Sequence, residues 1–173
     1  MESRWGAYSR YFKQREVPAK TTLLAEGEIS KAMFFIEKGC LRTWVNHDGK
    51  EITTHFFFEG DSVSAIESFR TKQPSLYSIE SLEPCVLQTI SHKDFQQLIE
   101  NYPALGKEVE AHLFKRLLQV QQLFYGHLKN SPQQRYEELI EKYPQILQRV
   151  PQHYIASYLG ITAVSLSRIR NRR

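Results

Sequence analysis

The last twenty-four residues, Val150 to Arg173, constrain the fold more tightly than any other stretch of the chain. Ile155 and Leu159 fall four apart on one helical face, and Ala156 is small where a second helix would cross it. Pro151 suits the first turn, where a missing N–H costs nothing. Gly160 supplies the left-handed residue that ends the helix, and Thr162 is a good N-cap for the next one. Leu166 and Ile169 then mark the buried side of that second helix, with Ile161 in the turn between the two. Two short helices meeting at a glycine corner form a helix-turn-helix.

The second helix points a different set outward: Thr162, Ala163, Val164, Ser165, Ser167, Arg168 and Asn171, followed by Arg170, Arg172 and Arg173. Side chains of these types reach base edges and phosphates. A bland alternative is an amphipathic helix pair with a solvated basic end. The fixed places of Gly160, Ala156 and the apolar set favour double-stranded DNA as the partner. Charge placement agrees. The segment from Val150 onward has four arginines and no acid, so it carries the whole net charge of +4 while residues 1–149 balance to zero.

Upstream the pattern changes. Residues 5–14, with aromatics at 5, 8, 11 and 12, read as a short helix. From Lys20 onward, short alternating runs read as strands at 21–24, 33–37, 40–45, 51–58, 76–82 and 86–90. Glycines stand at the corners, and Asp48-Gly49 marks a hairpin tip. Many short strands so punctuated predict a small β-barrel or sandwich. Cys40 and Cys85 fall in strands and read as small core residues, as His55 beside Phe56 reads as barrel wall.

Helical periodicity returns at Ser91, which caps a helix over 92–101 that Pro103 ends. A long helix follows, from about 104 to 128. In it Val109, Leu113, Leu117, Val120, Phe124 and Leu128 recur at spacings of 4, 4, 3, 4 and 4. That near-heptad seam favours a parallel dimer with a second copy of the chain over packing on the chain's own barrel. Ser131, Pro132 and Gln134 form a capping box that opens the next helix, which Pro144 stops. The domain boundary is expected near Asn130, giving domains 1–130 and 131–173.

In this order the parts resemble the Crp/Fnr family of bacterial transcription regulators, whose sensor is similar to cyclic-nucleotide-binding domains. The resemblance covers nearly the whole chain. It rests on Glu26-Gly27-Glu28, Phe35 to Gly39, Asp48-Gly49-Lys50-Glu51, Gly60-Asp61, Ile90 to Phe95 and the 152–171 motif. It implies an α+β chain: an N-terminal double-stranded β-helix or jelly roll, a long dimerisation helix, and an all-α helix-turn-helix domain without a full wing. It also implies DNA, a second copy and RNA polymerase as partners, with no membrane.

The departures are as informative. Nucleotide-binding members follow the Gly-Asp with Gly-Glu and later Arg-Ser or Arg-Ala, which hold the ribose and the cyclic phosphate. Counted from Gly60, this chain has Ser64-Ala65 and Ser75-Leu76 at those places. A buried anion without a paired cation is costly. Arg70 and Lys72 lie nearby, but on what reads as an exposed, solvated loop. Cyclic AMP and cyclic GMP are therefore not expected as effectors, and no other cofactor is implied. The N-terminal cysteine cluster of iron–sulphur members is missing, and the six histidines show no metal-ligand spacing. Family members with the best-known operator start the recognition helix with Arg-Glu and carry a later Arg, whereas here Ala163-Val164 and Arg168 stand there. Only four residues follow Ile169, too few for the family's β-hairpin wing.

The expectation is a homodimeric, cytoplasmic, sequence-specific DNA-binding regulator. An interaction module that has kept the fold and lost DNA binding remains the alternative. Enzymatic chemistry finds no nucleophile–base pair, metal spacing or phosphate loop to rest on.

Overall fold

The computed structural model describes residues 6–171, which fall into two compact units divided between Asn101 and Tyr102. The first is built on eight strands. β1 (Lys13–Val17), β8 (Cys85–Ser91), β3 (Ala32–Lys38) and β6 (Ser62–Val63) lie side by side in that order. β2 (Thr22–Leu24), β7 (Ser78–Ser81), β4 (Leu41–His47) and β5 (Lys50–Phe57) form a second sheet. Every pairing is antiparallel. Each strand sends at least one side chain into a single core: Val17, Leu24, Phe34, Ile36, Leu41, Phe57, Val63, Ile79, Cys85 and Leu87, joined by Ala65. Alternation makes this possible, because period-two side chains give each strand one inward face. The jelly-roll architecture expected from the sequence is what the chain adopts.

Local sequence fixes the corners. His47 pairs with Lys50, leaving a two-residue loop in which Asp48 and Gly49 have φ of 50° and 77°, the positive pair of a type I′ turn. Gly39 has φ +105°, and a Cβ there would lie 2.5 Å from Cys85 Sγ and 2.9 Å from the Pro84 carbonyl. Both cysteines are buried free thiols, and burial pushes the Cys85 thiol up.

Two readings need correction. The helix expected over 5–14 is a 3-10 helix, Gly6–Tyr11, followed by β1; Trp5 lies outside the described residues. Lys13-Gln-Arg-Glu shows no alternation because β1 is a sheet edge whose side chains are exposed up to Val17. The irregular stretch after Gly60 holds β6 and a short helix, α1 (Ile66–Thr71), so Arg70 is helical rather than in a loop. Lys72 ends α1 in the left-handed region and donates to the Phe69 carbonyl at 3.1 Å. Helix α2 (His92–Asn101) closes the unit, with Ser91 accepting from the Asp94 amide.

The second unit is all helix. α3 (Pro103–Lys129) is followed by α4 (Pro132–Lys142), α5 (Ile146–Arg149), α6 (Gln152–Tyr158) and α7 (Ala163–Arg170). The capping box at Ser131 forms as read: Ser131 Oγ accepts from the Gln134 amide, and Gln134 Oε1 accepts from the Ser131 amide. The long helix groups with the C-terminal helices rather than with the roll, so the boundary lies between Asn101 and Tyr102 and not near Asn130. The physical reason lies at its C-terminal end. Arg135 of α4 donates to the carbonyls of Asn130 and Leu159, and His127 of α3 sits 3.3 Å from the Tyr158 carbonyl.

Candidate nucleic-acid interface and ligand cassette

The helix-turn-helix forms at the residues that announced it. Leu159 is followed by Gly160 at φ +66°, whose amide donates to the Ser157 carbonyl while Ile161 donates to the Ala156 carbonyl. This pair of bonds is a Schellman motif, which closes α6 and turns the chain toward α7. Thr162 then accepts from the Ser165 amide at 3.1 Å as the N-cap of α7. Ile155, Leu159 and Leu166 are fully buried with Ala156 at the crossing, and Tyr136, Leu139, Ile146 and Val150 are buried too. α4 and α5 thus supply the floor on which the two helices rest.

The outward face of α7 is as expected in part. Ala163, Val164, Ser167, Arg168 and Asn171 are exposed, and Val164 is the one large apolar side chain there, at 61%. Arg170 and Ser165 are half-buried, and the Ser165 hydroxyl lies 3.0 Å from Thr162 Oγ1 rather than turning outward. Arg172 and Arg173 lie outside the described residues.

The seam of α3 is uncovered. No residue of this 27-residue helix is buried. Leu117, Val120, Phe124 and Leu128 are more than half exposed, while Val109 and Leu113 are half-buried. Phe114, Leu118 and Tyr125 widen the exposed apolar strip beyond the heptad seam.

At the junction of α3, α4 and α6 stands Arg135, which no sequence motif marks. Its guanidinium lies across the last carbonyls of two helices, where a cation meets both negative helix ends. Beside it Tyr158 is buried, and burial, with Tyr143 and Glu138 next in effect, pushes its phenol up. A cleft lined by Gln122, Arg135, Glu138 and Tyr158 opens here.

Residues of the cassette are tied to the rest of the roll by hydrogen bonds within the chain. Gly60 has φ +88° and donates to the Ile36 carbonyl. Ser64, Ala65 and Ser75 are buried and Leu76 is exposed. Ser64 Oγ donates to the Ala32 carbonyl at 3.3 Å. The Ser75 amide donates to Glu28 and its carbonyl accepts from Gly27. Tyr77, a residue that the sequence pattern did not mark, donates its phenol O–H to the Ser64 carbonyl at 2.9 Å. On the opposite face of the β4 sheet Arg42 is 1% exposed. It is held by Glu80 at 2.7 Å from Nε, by Glu51 and by Thr53, with the Trp44 ring 5.3 Å away.

The family model for the cyclic nucleotide-binding domain matches residues 14–102. The cAMP-activated global transcriptional regulator CRP of Pasteurella multocida is 32% identical over 101 residues, 58% of this chain and 48% of that protein. The Pycsar effector protein XpPycTIR of Xanthomonas perforans is 32% identical over 102 residues, 59% of this chain and 32% of that one. The chain therefore spans about half the length of the CRP proteins it matches. Among solved structures, FixK2 from Bradyrhizobium japonicum superposes with TM-score 0.80 at 12% identity, covering 93% of this chain and 83% of its own. The c-di-GMP responsive regulator CLP of Xanthomonas campestris gives 0.77 at 16% identity, covering 95% and 87%. At these identities the likeness is one of fold.

Proposed function

The chain belongs to the cyclic nucleotide-binding domain family, and from that premise we propose that it is a homodimeric, sequence-specific DNA-binding transcription regulator of the Crp/Fnr type whose roll does not answer to cAMP or cGMP. The observation that carries this reading is α7. It is capped by Thr162, anchored by Leu166, and presents Ala163, Val164, Ser167, Arg168 and Asn171 outward with no acid among them. A helix of this kind enters the major groove with its N-terminal residues toward the bases. Val164 offers a methyl contact to thymine and Arg168 a bidentate bond to guanine. Arg170 and the α7 N-terminus take phosphates.

The uncovered seam of α3 supports the dimer. Leu117, Val120, Phe124 and Leu128 stand exposed in one strip, and such a strip costs free energy in water until a matching surface covers it. Two recognition helices then meet successive major grooves about 34 Å apart, so the operator is an inverted repeat. RNA polymerase follows as the partner through which such a regulator acts.

The test is selection from a random DNA pool by the purified chain, sequenced at two salt concentrations. An enriched inverted repeat whose affinity falls steeply with salt is the expected result. Binding without enrichment would leave only a basic surface. No binding at either salt would remove the DNA reading and turn attention to a protein partner.

A further inference from the structure

Three observations converge on Tyr77. Its backbone is tied to Ser75 in both directions: Ser75 Oγ donates to the Tyr77 carbonyl at 2.6 Å and accepts from the Tyr77 amide at 3.3 Å. Its half-buried ring packs against the core cluster of the roll, which includes Leu24, Val63, Ala65 and Ile79. Its hydroxyl donates to the Ser64 carbonyl, thirteen residues back, at 2.9 Å. The side chain thus runs from the start of β7 to the turn between β6 and α1. Those are the two segments, around Ser75 and Ser64, that a bound effector would have to bridge. Polar groups on both are already consumed within the chain: Ser64 Oγ by Ala32, the Ser64 carbonyl by Tyr77, and the Ser75 amide, carbonyl and hydroxyl by Glu28, Gly27 and Tyr77.

We infer that Tyr77 is a built-in occupant of the roll's ligand cavity, its ring filling the space and its hydroxyl holding the cassette as an effector would. The residue decides specificity by exclusion: while it is seated, a ligand must displace its ring and compete for the Ser64 carbonyl. Losing this part-buried donor–acceptor pair leaves the Ser64 carbonyl without its phenol partner, at a cost. The inference rests on the reading that cyclic nucleotides do not govern the roll.

The test compares the full chain with Tyr77→Phe and Tyr77→Ala and uses p-cresol, the tyrosine side chain as a free molecule. In Tyr77→Ala, amides of residues 62–77 should exchange at least about tenfold faster, because the opening is local. At ten times its dissociation constant, p-cresol should raise the melting midpoint of Tyr77→Ala by roughly 3–6 °C and restore that protection. The unaltered chain and Tyr77→Phe, whose cavities are filled, should shift by less than about 1 °C. A folded Tyr77→Ala chain that neither binds p-cresol nor recovers protection overturns the assignment, as does equal stabilisation of the unaltered chain. If Tyr77→Ala does not fold alone, its refolding yield is read instead. A yield that rises with p-cresol supports the assignment, and an unchanged one overturns it. Calorimetry with cAMP on the unaltered chain separates the two readings. Saturable binding sinks both, whereas failure of p-cresol with cAMP silent sinks only the role of Tyr77.

Discussion

The interior of the roll and the outward face of α7 both rely on serine, and they use it in opposite ways. Ser30, Ser64, Ser68, Ser75, Ser78 and Ser81 are all buried, and each hydroxyl bonds to backbone. Ser68 Oγ takes the Ser30 amide, Ser78 Oγ takes the Glu26 amide, and Ser81 Oγ takes the Thr21 amide while donating to Pro18. These bonds stitch the 18–32 loops to the 62–81 segment. On α7, Ser167 is exposed beside Arg168. The difference teaches where a partner can act. A polar group satisfied from within is part of the scaffold, and one left to water can exchange its water for a ligand at little cost.

The contrast can be broken by substitution, and the largest effects belong to the closed region. Gly39→Ala should destabilise the roll by about 3–4 kcal/mol, since the left-handed backbone and the Pro84 carbonyl both oppose a Cβ. The shift of the denaturation midpoint measures it. Arg42→Ala should lose about 3 kcal/mol by stranding Glu80, whose side chain is only 14% exposed. Full stability in that variant would show that the triad of Arg42, Glu51 and Glu80 is idle.

In the open region, folding should scarcely notice and association should. Leu117→Asp places a charge in the seam, and sedimentation should show the dimer dissociation constant rising about 100-fold, with the melting midpoint unchanged only at concentrations where both chains are monomeric. Arg168→Ala should relax discrimination at one base pair by about 10–30-fold in competition binding, against a uniform loss if Arg168 meets only phosphate. Ser131 sits between the regimes, exposed yet bonded to backbone. Ser131→Ala should cost about 1 kcal/mol by thermal unfolding.

How far each region could be read in advance follows from how local its causes are. The caps at Ser131 and Thr162, the Gly160 turn and the Asp48-Gly49 hairpin are decided within a few residues, and they stand where the pattern put them. β1 escaped because its residues face solvent and its pairing partners are residues 85–89, far along the chain. Arg42 carries no motif, and only the neighbouring strands reveal the acids that hold it. Tyr77 follows the same rule: its carbonyl partner is thirteen residues away and carries no motif. The face of α7 was legible as a list, but the inward turn of Ser165 toward Thr162 was not.

The pairing of β1 with β8 also sets a timetable. Lys13 lies opposite Thr89, so one sheet edge cannot close until the 76 residues that follow Lys13 have been made. At about 5–20 residues per second of synthesis, the first strand waits roughly 4–15 s for its partner. Long-range antiparallel closure of this kind is slow even from the full chain. During that interval the charged Lys13-Gln-Arg-Glu run is the part on view, and charge on a waiting edge discourages pairing with the wrong neighbour.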